Sequence, residues 1–171
     1  MFRALGSVTR LRVALGLTAL ISLATVGTAI AFERWGGLVP CALCLVDRWP
    51  WRVAAATALA GIVVPPRAAR ILAWVVVLIL LAGVAVSVLH VGVEWRLWPS
   101  PAPECQAPHF QAGSIAQRLA NLPAKPSRAC EDATYLIPGL PVSMAMMNLL
   151  GSLVVAVALA WFLISPRMRK A

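Results

Sequence analysis

The chain has 171 residues, of which 61% are hydrophobic and 12% charged, with a mean hydropathy of +0.84. That is more apolar and far less charged than soluble domains are, so the chain reads as an integral membrane protein. Its net charge of +9 does not point to nucleic acid, because the basic residues form short clusters between apolar runs and no stripe interleaved with aromatics; such clusters set topology.

Arg3, Arg10 and Arg12 precede an apolar run over residues 13–32, long enough at about 1.5 Å per residue to cross a hydrocarbon core of about 30 Å. A secretory signal is the competing reading, since Ala29-Ile30-Ala31 resembles a small-residue cleavage site. The run exceeds the usual h-region of roughly 7–15 residues, so a retained first helix, uncleaved after Ala31, is expected. A short loop over 33–43 follows. At its end stands Pro40-Cys41-Ala42-Leu43-Cys44-Leu45-Val46-Asp47-Arg48. A Cys-x-x-Cys pair can shuttle between dithiol and disulfide; half of a zinc site or a plain structural disulfide are the alternatives. If a helix starts at Cys44, Arg48 lies one turn on along the same face. Its charge and the helix N-terminus would then both favour a thiolate at Cys44.

The second span is expected over 44–64, with Trp49-Pro50-Trp51-Arg52 at headgroup level. A start at Trp49, with Pro50 in the first turn, would leave it short. Pro65-Pro66 ends it, Arg67 and Arg70 fill a turn over 65–70, and a third span covers 71–89. His90 closes that span, and Trp95 and Trp98 mark an interface behind it. From 90 to 141 the chain is a long polar, proline-rich loop. Within it Ser114-x-x-Gln117 reads as a capping box opening a short helix with Ile115, Leu119 and Leu122 on one side, lying on the bilayer surface or packed inside the loop. The fourth span, 142–164, ends in Pro166-Arg167-Met168-Arg169-Lys170. The expected fold is an all-α membrane protein, one domain over 1–171: a four-transmembrane-helix bundle with a short and a long outer loop.

Four spans put both termini on one side. The segments there carry eight Lys/Arg and no acid, while all six acidic residues fall in or beside the other two connections. The positive-inside rule assigns the basic side to the cytoplasm. Cys41, Cys44, Cys105 and Cys130 then all face the oxidising side, which favours disulfides over a cytosolic four-cysteine zinc site. Three pairings are open; Cys41 with Cys44 and Cys105 with Cys130 is the simplest. The second pair reads either as a structural staple or as a mobile carrier, since Pro101-Ala102-Pro103-Glu104-Cys105 is an extended segment that a partner's groove could take as a strand.

With these pieces placed, the sequence resembles the bacterial DsbB family of disulfide-bond formation proteins. The resemblance rests on four apolar spans, Cys41-Ala42-Leu43-Cys44 with Arg48 behind, His90-Val91-Gly92-Val93-Glu94-Trp95, and Cys105 and Cys130 in the second outer loop. It implies an inner-membrane protein-dithiol:quinone oxidoreductase that reoxidises a periplasmic thioredoxin-like DsbA protein. Cys105 and Cys130 would accept electrons from that partner, Cys41 and Cys44 would receive them, and ubiquinone or menaquinone would carry them away. A quinone needs an apolar slot, a thiolate at its face and a cation or hydrogen-bond donor for the oxygen that gains charge; Cys44, Arg48 and His90 are the candidates. Of the Trp-Asn pair that opens the fourth helix in family members, only Asn148 is present. A vitamin K epoxide reductase-like enzyme and a non-enzymatic tetraspan scaffold pinned by structural disulfides are the alternatives.

Overall fold

A computed structural model describes residues 2–102, 105, 128–135, 139 and 141–165, with side chains from residue 6 onward. The expected helix around Ser114–Gln117 and the basic tail after Ser165 lie outside the described residues. Among the described residues five helices follow one another: α1 (Phe2–Arg34), α2 (Ala42–Val46), α3 (Arg48–Val63), α4 (Pro66–Glu94) and α5 (Met144–Ile164). Stretches Gly6–Arg34, Pro66–Glu94 and Met144–Ile164 are long and apolar enough to cross a bilayer. With 16 residues, α3 covers about 24 Å and does not reach that length by itself.

The expected start of the second helix at Cys44 is corrected. The helix begins as the single turn α2, whose N-cap is Cys41; the Cys41 Sγ accepts the backbone N–H of Cys44 at 3.1 Å. The break before α3 follows from Pro50, which has no N–H for the carbonyl of Val46 and crowds it. Asp47 at the junction keeps helical dihedrals, φ −57° and ψ −21°, so the chain continues from α2 into α3.

The bounds of the third span also shift. Pro66 opens α4 at a position where its missing N–H costs nothing, so the connection from α3 is shorter than residues 65–70. At the other end α4 runs to Glu94, and His90 lies inside the helix rather than at the head of a loop. Its stop is a Schellman turn: Leu97 N–H bonds Gly92 C=O at 2.8 Å, Arg96 N–H bonds Val93 C=O at 3.0 Å, and Arg96 takes the left-handed conformation at φ 57°.

Small residues set the packing. Ala54, Ala55, Ala58 and Gly61 of α3 are buried between α1 and α4, letting the helices approach as membrane helices do. A Cβ on Gly61 would stand 2.8 Å from Leu15 Cδ1, and one on Gly83 of α4 would stand 2.9 Å from Pro50 Cβ. Leu11, Leu15, Trp51, Val76, Leu80, Leu159 and Leu163 complete this core. While α3 packs on both α1 and α4, and α4 on α5, α1 and α5 scarcely touch. The bundle therefore has a gap on one side.

Candidate functional site

At the Cys41 end of the bundle a chain of buried polar contacts joins α2, α3, α4 and α5. Asp47 stands at the α2–α3 junction, and Ser87 and His90 share a face of α4 at i, i+3 spacing. His90 Nδ1 lies 2.6 Å from Asp47 Oδ2, and Ser87 Oγ donates to Asp47 Oδ1 at 3.2 Å. Asn148 of α5 donates through Nδ2 to Ser87 Oγ at 2.8 Å and accepts from Trp51 Nε1 at 2.6 Å. Asp47 is only 5% exposed, and a carboxylate buried to that extent is tolerable because both its oxygens are bonded. A carboxylate can only accept here, so His90 carries a proton on Nδ1, and its Nε2 faces Cys41 Sγ 3.5 Å away.

Cys41 and Cys44 are free thiols, one buried and one half-buried. The hydrogen bond from the Cys41 thiol holds the Cys44 thiol down to about 5 against the effect of burial, with His90 acting in the same direction. That contact and burial together push Cys41 far above the usual thiol range. Negative charge thus settles on Cys44, although the capping N–H points at Cys41; contact with Cys44 and burial outweigh that single bond.

Arg48 does not pair with Asp47. It forms an ion pair with Glu33 in the last turn of α1 and is itself buried, so its charge is already partly balanced where it meets the cleft. Sequence reasoning assigned no role at the site to Glu33 or Asp47. Each is an acid at the mouth of a span, and such a residue is costly unless partnered; that was the available signal.

Cys105 and Cys130 form a disulfide with Cα atoms 4.8 Å apart. Cys130 N–H bonds Cys105 C=O at 3.1 Å, and Arg128 pairs with Cys41 in an isolated parallel bridge. Cys41, Leu43, Val93, Cys105 and Cys130 consequently pack in one buried cluster. The second pair, for which the sequence offered a mobile carrier as one reading, is packed away in this structure. Cys105 and Cys130 are 0% and 1% exposed, because this bridge brings their segment down against α2 and α4.

Cys44, Asp47, Arg48 and His90 form the polar end of a cleft of about 440 Å³ in the gap between α1 and α5. Its walls are Ile21, Ala24, Ala29 and Phe32 of α1 and Met144, Met147 and Gly151 of α5, with Trp51 at the back. Ile21 and Met147 are exposed at its rim. The volume and the few polar groups at one end of an apolar slot match a small-molecule site.

A free dithiol packed beside a closed disulfide, in a bundle that holds helices long and apolar enough to cross a membrane, suits a membrane thiol–disulfide oxidoreductase. A sequence model described as disulfide bond formation protein DsbB matches residues 11–162, and the chain belongs to that family. It is accordingly a multi-pass membrane oxidoreductase of disulfide bond formation. No curated protein and no solved structure shows a significant match to it.

Proposed function

We propose that the chain withdraws two electrons from a reduced thioredoxin-like protein of DsbA type and delivers them to ubiquinone or menaquinone at the periplasmic face of the bacterial inner membrane. The observation that carries this reading is the position of Cys44. It is a half-buried thiol at the polar end of an apolar cleft, in a cluster that also holds Cys41, Cys105 and Cys130. When bound, the quinone supplies a sink for two electrons and two protons. The cleft fits such a ring in size, in its apolar walls and in the guanidinium and imidazole at its end.

The residues divide the work. Partner dithiol and Cys105–Cys130 exchange first, through a mixed disulfide, which leaves the partner oxidised and the second pair reduced. A Cys105 or Cys130 thiolate then attacks the Cys41–Cys44 disulfide, restoring one bond as the other breaks. Shared packing of the two pairs keeps that exchange short-range. In the reduced first pair Cys44 presents the thiolate to the cleft and Cys41 keeps its proton, while His90, held by Asp47, stands with Nε2 3.5 Å from the Cys41 sulfur. Arg48 offers N–H groups to developing negative charge.

In this reading both termini are cytoplasmic, as the distribution of basic residues suggests. The second crossing is made by α3, and α2 carries the path through the outer interface. Trp35, Trp49, Trp95 and Trp98 are exposed at the ends of α1, α3 and α4 that meet the site, and Trp74 and Trp161 lie toward the opposite end. Two such belts mark two interfaces. Because α1 supplies a whole wall of the cleft, the uncleaved chain is the functional one, and intact mass of the purified protein checks this.

The decisive experiment follows quinone absorbance on mixing purified protein with reduced partner and a soluble quinone. Stoichiometric quinol, one per partner disulfide formed, is expected. Partner oxidation without quinol overturns the proposal.

A further inference from the structure

We infer that the reduced site is a cation site: Cys41 Sγ, Cys44 Sγ and His90 Nε2 together bind a thiophilic d10 cation of the zinc type, with Asp47 as the outer support. This inference stands on the geometry of the three side chains and does not depend on the identity of any electron acceptor.

All three donor atoms lie within 4.8 Å of one another. The 3.5 Å between Cys41 Sγ and His90 Nε2 compares with about 3.6 Å for the S–N edge of a zinc tetrahedron built from ordinary bond lengths. Histidine orientation is set in advance. Asp47 Oδ2 accepts the hydrogen bond of Nδ1–H at 2.6 Å, which directs Nε2 to the metal position and reproduces the carboxylate–histidine arrangement that supports metal-bound imidazoles. Ser87 in turn steadies the carboxylate at 3.2 Å.

The donor set has an open corner. Cys44 and His90 both line the cleft, so their donor atoms border open space, and three protein ligands leave a fourth position for water. Soft sulfur pairs with borderline imidazole, a combination that selects zinc-like and cuprous ions over magnesium or calcium. Binding displaces the remaining thiol proton or protons and changes no oxidation state. It also occupies both sulfurs, so the Cys41–Cys44 disulfide and the cation exclude each other. Free zinc would thereby hold the pair reduced.

The test uses the full-length chain in detergent with Cys105 and Cys130 both changed to Ser, so that a single dithiol remains. Reduced anaerobically, it is titrated with Co2+ as a spectroscopic probe and then with Zn2+ in competition. One Co2+ per chain is expected, with sulfur-to-metal charge-transfer bands and four-coordinate ligand-field bands, displaced by Zn2+ and absent after oxidation. His90→Ala should weaken binding at least tenfold, and Asp47→Ala by about 10–100-fold. X-ray absorption of the zinc-loaded protein bearing native His90 should show two sulfurs at about 2.3 Å and an imidazole nitrogen at about 2.0 Å, a readout independent of whether the variants fold. A sulfur shell without imidazole, or no binding to the reduced form, overturns the inference.

Discussion

The two cysteine pairs sit in one cluster, yet they are built in opposite ways. Cys41 and Cys44 flank a helical turn and are surrounded by ionisable groups: Asp47 and His90 beneath, and Arg48 with Glu33 beside the cleft. Cys105 and Cys130 are held by backbone bonds and a disulfide and sit against apolar neighbours. In the proposed reaction the first pair changes protonation and the second changes partner. Since a thiol must reach a sulfur in line to exchange with it, burial of the second pair means that its segment has to lift before a partner can attack.

The largest effects should come from breaking one pair at a time. Cys44→Ala should abolish quinone reduction while leaving Cys105–Cys130 closed, and Cys130→Ala or Cys105→Ala should trap a mixed disulfide with the partner, read on non-reducing gels. Trapping by Cys41 or Cys44 variants alone would reverse the order of transfer.

Arg48 comes next. Loss of one preorganised charge commonly costs about 2.7–4 kcal/mol in transition-state stabilisation, roughly a hundred- to thousandfold in rate. Because Glu33 already shares the charge, Arg48→Ala should fall at or below the lower end, and Arg48→Lys should recover only part of it. Steady-state turnover at varied quinone concentration measures this. A double-mutant cycle with Glu33→Gln separates Arg48's own contribution from the penalty of an orphaned carboxylate. Unchanged parameters in Arg48→Ala would make the arginine an anchor.

The protonation contrast within the first pair is open to a direct probe. The thiolate is the nucleophile, so Cys44, held down to about 5, should alkylate at a rate flat above pH 6 and falling as pH drops through about 5. Cys41, pushed upward by Cys44 and burial, should stay unreactive at neutral pH. Peptide mass spectrometry after brief iodoacetamide pulses distinguishes the two. Equal labelling of both at pH 6 would remove the basis for assigning the cleft-facing thiolate to Cys44.

Smallest is the effect expected at the hinge between α4 and the Cys130 segment. Arg96 holds a left-handed conformation at φ 57°, costing about 1–2 kcal/mol relative to the right-handed one, and makes an exposed contact with Glu131 at 3.8 Å. An exposed pair of this kind contributes at most about 1 kcal/mol. Arg96→Gly should therefore change thermal stability by no more than about 1 kcal/mol while speeding mixed-disulfide formation, because it removes the contact that ties α4 to the segment of Cys130.

What the sequence revealed and what it hid divide along the same physical line. Apolar runs long enough to span, the Cys-x-x-Cys pair, Arg48 and His90 are local patterns, and each was legible from spacing and residue type. The partners of those residues were not. Glu33 meets Arg48 across a loop, and Asp47 meets His90 across two helices, so no periodicity connects them. The start of α2 at Ala42 escaped because an early Pro50 fits both a helix beginning at Trp49 and a helix broken at Asp47. Continuation of α4 past His90 escaped because Val91-Gly92-Val93 has no helix breaker stronger than glycine, and the tryptophans drew the boundary too early. Burial of Cys105 and Cys130 depends on the bridge between Arg128 and Cys41, a tertiary contact with no sequence mark.

The sparse contact between α1 and α5 has a kinetic consequence. A ligand that enters through that gap arrives by diffusion in the plane of the bilayer, already concentrated there by the roughly 0.8 kcal/mol that each buried methylene of its tail contributes to partitioning. The quantity that saturates the cleft is then the mole fraction of ligand among lipids rather than its amount in the surrounding water. Diluting the membrane with inert lipid at constant total quinone should slow turnover as effectively as withdrawing the quinone itself.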